Sequence, residues 1–142
     1  MEHGQIKGRL KFTTATDYDI ADWFDDYRHF VDVAYMEKVH SMPKQGNVSS
    51  FTFGERYGFL RGLMTGLRIR YEYVTPQKWQ KTLGCLTHGD KNISKAAAQR
   101  LWPKLKWTHA TADAALIAEY GRRKEGGTNG QVTDTSDETK PQ

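Results

Sequence analysis

The sequence has little cysteine and no long apolar run. Its one cysteine, Cys85, excludes a disulfide within the chain and is typical of a reducing compartment. No apolar stretch approaches the roughly 20 residues of a membrane-spanning helix. The N-terminal stretch MEHGQIKGRLKF also lacks the apolar core of a signal peptide. We therefore expect a soluble cytoplasmic protein without a membrane partner, and 142 residues suffice for one domain with a sizeable core.

Charge is unevenly distributed along the chain, although the formal net charge is only +4. Residues 17–37 contain seven acidic side chains and one basic one, whereas residues 56–106 contain eleven basic side chains and two acidic ones. A basic half of this kind fits a surface that follows phosphates. The alternative interpretation is an ordinary solvated basic surface.

Apolar periodicity and capping residues predict an α/β protein with parallel strands. We expect one domain over residues 1–123 and a disordered polar tail over 124–142, because the tail has almost no apolar residue. Thr16 or Asp17, Thr75 and Thr108 are the expected helix caps, with Pro76 in a first helical position. The predicted strands are 5–13, 31–37 and 71–74, and the predicted helices are 17–29, 51–67, 76–83, 94–101 and 109–123.

Four glycines at steps of four form a stripe on the helix predicted over 51–67. They are Gly54, Gly58, Gly62 and Gly66. Each glycine costs a helix roughly 1 kcal/mol relative to alanine, so the stripe indicates close approach by another backbone. We favour packing on the sheet or on a partner helix over contact with nucleic acid.

Three side chains are candidates for chemistry. Glu37 ends a predicted buried strand, and ligand sites of α/β proteins lie at that edge. His109 and Asp113 are four residues apart at the start of a helix and therefore share one face. Such a group could bind Mg²⁺, which prefers oxygen ligands, and two such ions can hydrolyse a phosphodiester.

Each of these residues also has an ordinary interpretation. Glu37 could end the strand or pair with Lys38, and His109 could be a surface residue of a first helical turn. Asp113 is harder to explain in this way, because a carboxylate has no structural reason to face the core from the apolar helix TADAALIAEY.

Four ordered segments resemble the RuvC-like Holliday junction resolvases of phages and related elements. They are YMEKVHSMPKQGNVSSFTFGERYGFLRGL, VTPQKWQKTLG, GDKNISKAAAQRLWP and THATADAALIAEYGRR, and their order and spacing extend the resemblance over roughly residues 31–123. The resemblance implies a ribonuclease H-like fold with a mixed sheet flanked by helices. It further implies cleavage of branched DNA with Mg²⁺ or Mn²⁺, a homodimer, and the cytoplasm of a bacterium or of a phage-infected host.

Individual residues match positions of that family. Glu37 matches the second family carboxylate, Asp113 matches the carboxylate on the final helix, and His109 matches the His or Asp one turn earlier. These three are therefore expected to be catalytic and to bind metal. The residues expected to contact nucleic acid are Lys91 and Lys95, followed by Arg56 and Arg61.

The chain departs from the family in one respect. Family members open with a central strand that carries an Asp-x-Gly motif, and the first central strand is missing here, since no aspartate precedes Asp17. Losing this ligand should weaken ion binding and misplace the attacking water. Either the true start lies upstream, or the chain is a degenerate relative that binds DNA without cutting it. The presence of Glu37, His109 and Asp113 favours an upstream start.

Three functions follow as hypotheses. The first is a junction-resolving endonuclease active in recombination or repair. The second is a catalytically inactive nucleic-acid-binding relative on the same fold, whose binding needs no metal and falls steeply with salt. The third is a structural subunit that uses its basic surface to contact protein.

Overall fold

The computed structural model describes residues 3–38 and 46–126, and over this range the protein is a mixed α/β structure. The elements in chain order are α1 (Asp17–Tyr27), β1 (Ala34–Glu37), α2 (Asn47–Gly66), β2 (Tyr71–Val74), α3 (Pro76–Thr82), α4 (Lys91–Leu101) and α5 (His109–Glu125). The predicted α/β class is thus confirmed. None of the described helices is long and apolar enough to cross a membrane.

The two strands form a parallel sheet in which Ala34 pairs with Tyr71 and Glu37 pairs with Val74. The backbone N–H of Lys38 donates to the carbonyl of Val74 at 2.7 Å, so pairing continues one residue beyond β1. Parallel neighbours need a long connection, and the segment that contains α2 supplies it. Glu37 consequently lies at the carboxyl end of the sheet.

The strand predicted over residues 5–13 is wrong. Its alternation is present, because Ile6, Leu10 and Phe12 are half-buried between exposed residues. A strand also needs a neighbouring backbone, however, and this segment is held by side chains instead. Gly4 N–H donates to Glu119 Oε1 at 2.9 Å, and the Gly4 carbonyl accepts from Trp102 Nε1 at 2.8 Å. The strand predicted over 31–37 is confirmed only over its last four residues.

The predicted caps are confirmed. Thr16 and Thr108 each form a capping box. The Thr75 side chain accepts a hydrogen bond from the backbone N–H of Lys78, and Pro76 is the first residue of that helix. Two helices begin earlier than predicted: α2 at Asn47, and α4 at Lys91 because Asp90 caps it. Helix α5 continues to Glu125, two residues into the predicted tail, and residues 127–142 lie outside the described range.

The core lies where α3, α4 and α5 meet the sheet. Trp79, Ala98, Ala112 and Leu116 have no exposed surface, and Trp102 and Trp107 close the cluster from the segment around the end of α4. The small residues of α4 and α5, among them Ala98 and Ala112, let these two helices approach closely.

One glycine brings the sheet onto α5. A Cβ atom at Gly121 would overlap the ring of Tyr35. Tyr35 and Glu37 lie on the same face of β1, since alternate strand residues point the same way. Gly121 lies two turns after Asp113 on α5. The close contact between Gly121 and Tyr35 therefore also brings the carboxyl end of β1 towards the first turns of α5.

The glycine stripe of α2 has no neighbour among the described residues. Within this part of the chain, no atom outside the helix's own backbone lies within 4 Å of a Cβ built at Gly54, Gly58, Gly62 or Gly66. Packing of the stripe on the sheet of the same chain was therefore a wrong expectation. The helix instead contacts β2 with its opposite side, where the ring of Tyr57 packs at a tilt against that of Tyr73 and Met64 is buried.

Candidate active site

Two carboxylates from distant parts of the sequence lie in one half-buried region. Glu37 comes from the end of β1, and its Oε2 accepts a 2.8 Å hydrogen bond from Trp79 Nε1 on α3. Asp113 comes from α5, and its Oδ1 accepts a 2.9 Å hydrogen bond from Ser94 Oγ on α4. Because Trp79 and Ser94 are themselves buried, each carboxylate is held in a fixed orientation by the core.

Both carboxylates have raised pKa values, mainly because they are half-buried. Burial raises the pKa of Glu37, and the negative charge of Asp113 raises it further, while Trp79 and Lys91 act in the opposite direction. Burial likewise raises the pKa of Asp113, against the lowering effects of Ser94, Lys91 and His109. A cation bound by the two carboxylates would offset this cost of burial.

Lys91 is the basic residue that both carboxylates share. It opens α4 directly after the cap Asp90, and its charge lowers the pKa of Glu37 and of Asp113. Lys95 follows one turn later on the same face of α4 and is half-buried.

His109 lies at the edge of this region. It is exposed, and its Nε2 shares a 3.1 Å hydrogen bond with Asn92 Oδ1 from α4. Its charge lowers the pKa of Asp113, so the expected pairing of the two residues on one face of α5 is present. Within residues 3–38 and 46–126, however, no three His, Cys, Asp or Glu side chains are grouped closely enough to hold a metal ion. Metal binding by Glu37, His109 and Asp113 stays a prediction.

Arg56 and Arg61 are placed differently from the other candidates. Both are exposed on α2, and no contact among the described residues connects them with the carboxylates or with Lys91. A role for them in nucleic-acid binding also stays a prediction, and it would concern a surface distinct from the carboxylate region.

The sequence did not identify the residues that hold the carboxylates. Trp79, Ser94 and Asn92 each bond a candidate residue from another element, and Cys85 is near enough to Asp113 for that charge to raise its pKa after burial. A polar Ser94 on the buried face of an alanine-rich helix was the one available signal, since a buried hydroxyl needs a partner.

Comparison with known proteins gives a distant similarity. No family model matches the chain. The chain is 30% identical over 92 residues to a chloroplastic protein of Chlamydomonas reinhardtii described as Holliday junction resolvase MOC1. The match covers 61% of this chain and 10% of that protein. The chain is thus similar, at the level of the family only, to a Holliday junction resolvase.

Proposed function

We propose that this chain is a metal-dependent, structure-specific endonuclease that resolves Holliday junctions or other branched DNA. The observation that carries the proposal is the pair of half-buried carboxylates, Glu37 and Asp113, both of which are influenced by the charge of Lys91. The distant similarity to a resolvase supports branched DNA as the substrate. We also propose a ribonuclease H-like fold, supported by a carboxylate at the end of a parallel strand and another on the last helix.

The donor atoms of the region fit Mg²⁺ or Mn²⁺. Carboxylate oxygens are the ligands these ions prefer, and Mg²⁺ keeps several waters, so two protein ligands can suffice. Glu37 and Asp113 would hold the ion, which would relieve the repulsion that raises the pKa of Glu37. A bound ion supplies charge stabilisation at the phosphate and a more acidic water.

The remaining residues have separable tasks in this proposal. Lys91 would pair with a phosphate oxygen and so place the scissile bond over the carboxylates. His109, at the exposed edge, would orient the attacking water or accept its proton. Trp79 and Ser94 would act as positioning residues that keep the two carboxylates in place. Lys95 would contact a neighbouring phosphate.

A catalytically inactive nucleic-acid-binding relative is the second candidate. The observation that favours it is the number of ligands: the described residues bring together two carboxylates and no third metal-ligating side chain. This alternative predicts junction binding that is independent of metal and strongly reduced by salt.

Cleavage of a synthetic four-way junction tests the proposal. We expect cleavage with Mg²⁺ and none after addition of a chelator. Glu37→Gln and Asp113→Asn should each abolish cleavage while leaving binding intact, and Asp26→Asn on the exposed face of α1 is the matched control. Cleavage that survives Glu37→Gln would rule out the assigned site, whereas tight binding without cleavage by the unaltered protein would favour the inactive relative.

We also propose a homodimer formed through α2. The stripe face of this helix carries the exposed side chains of Val48 and Phe51, which are 80% and 72% exposed, beside the uncovered glycines. A two-fold contact is made by the same face of both copies, so this face of α2 would meet its equivalent in the second copy.

A further inference from the structure

A basic cleft lies beside the start of α5. It has a volume of about 460 Å³ and is lined by Arg9, Lys11, Lys106, Trp107, Thr108 and Thr111. Among these described lining residues three are cationic and none is acidic. Lys11 and Lys106 are exposed and make no ion pair within the described part of the chain. The cleft therefore presents uncompensated positive charge.

The N-terminal segment supplies one wall of this cleft as a row of cations. Lys7, Arg9 and Lys11 are exposed at alternate positions, and Leu10 between the last two is half-buried. Arg9 and Lys11 line the cleft, and Lys7 precedes them on the exposed side of the segment.

Arg9 fixes the row against the rest of the molecule. Its Nη1 donates to the Lys106 carbonyl at 2.7 Å, and its guanidinium lies 4.9 Å from the ring centre of Trp107. Trp107 is buried, so its ring is not available for stacking on a base. The exposed chemistry of the cleft is cationic, which suits a sugar-phosphate backbone better than bases.

The cleft and the carboxylate region lie on opposite sides of the same helical turn. Thr111 is two residues from both His109 and Asp113, and residues two apart in a helix point about 200° from each other. The cleft and the carboxylate region thus flank the start of α5.

We infer that this basic cleft, whose cations are Arg9, Lys11 and Lys106, is a second phosphate-binding site for the backbone of bound nucleic acid. It is separate from Lys91 and Lys95. The inference rests on the proposed function only for its choice of nucleic acid as the partner, and it does not require that the chain cut its substrate.

Salt-dependent binding tests the inference. The probe is a fluorescently labelled four-way junction without divalent metal, and its anisotropy gives the dissociation constant at a series of salt concentrations. Lys11→Gln and Lys106→Gln should each lower the slope of log affinity against log salt by about one, and the double variant by about two. Arg28→Gln, which removes the same charge from the exposed end of α1, should leave the slope unchanged.

The outcomes separate this inference from the proposed function. Reduced slopes confirm the cleft whether or not the protein cleaves the junction with Mg²⁺. Slopes equal to that of Arg28→Gln, in a protein that binds and cuts normally, would overturn the cleft and leave the endonuclease proposal standing. An unaltered protein that does not bind the junction even at low salt would overturn both.

Discussion

Helices α5 and α2 are of similar length but are packed in opposite ways. Helix α5 buries eight of its 17 residues against α3, α4, the sheet and the N-terminal segment. Helix α2 has 20 residues, of which Met64 is buried, and its glycine face is uncovered. The region around α5 is thus a complete core within this chain, and it positions the carboxylates. The α2 region has the features of a surface that another copy would cover.

The largest expected effect concerns the buried ion cluster of α5. Glu119 is 2% exposed and accepts hydrogen bonds from Gly4 N–H, Arg122 and Arg123. Glu119→Gln removes the buried negative charge that Arg122 and Arg123 contact and should lower the free energy of unfolding by about 3 kcal/mol. Urea denaturation measures this loss. Glu72→Gln, in the more exposed pairs of Glu72 with Arg70 and Lys124, is the control and should cost much less.

The same cluster should make stability depend on acidity. Burial alone raises the pKa of Glu119, but the bonds from Arg122, Gly4 and Arg123 outweigh it and hold the pKa below its ordinary 4.5. Its stabilisation is therefore complete above the unfolded pKa and is lost as the pH falls through the folded one. The gap in stability between the unaltered protein and Glu119→Gln should narrow on acidification from pH 7 to about pH 3. A constant gap would contradict the lowered pKa.

The next predicted effect is the change in stability caused by a glycine-to-alanine substitution, which should have opposite signs in α5 and α2. Gly121→Ala places a methyl group against the Tyr35 ring and should destabilise the protein by about 1–3 kcal/mol. Gly62→Ala meets no neighbour and removes the cost of glycine in a helix, so it should stabilise the monomer by up to about 1 kcal/mol. Thermal unfolding of the two variants under identical conditions measures both changes. Stability changes of the same sign in the two variants would contradict the difference in packing between α5 and α2.

The smallest effect on folding is expected at the exposed end of the α2 face. Phe51→Ser should change the stability of the monomer by less than about 0.5 kcal/mol, because Phe51 is 72% exposed. It should nevertheless shift the molar mass measured by light scattering from dimer towards monomer. Phe30→Ser, at a residue that is 61% exposed and lies outside α2, is the matched control and should leave the dimer intact. A monomeric unaltered protein would contradict the proposed dimer.

Local signals allowed much of this structure to be predicted. The Thr75 and Thr108 caps, the strand Tyr71–Val74 and the face shared by His109 and Asp113 follow from a few neighbouring residues. The strand over 5–13 could not be judged in this way, because alternation sets which side chains are buried but not whether a backbone lies alongside. Trp79 and Ser94 bond the carboxylates across 42 and 19 residues of sequence, so only the assembled core identifies them.

The most direct test of the account is whether Glu37 and Asp113 hold one cation together. Titration of Mg²⁺ into the protein, followed through the carbon resonances of the two side-chain carboxyl groups, measures this for each residue. We predict that both resonances move with a single midpoint, and that Asp113→Asn strongly weakens the response of Glu37. A Glu37 response that is unchanged in Asp113→Asn, or the absence of any response at either carboxyl group, would contradict the shared site.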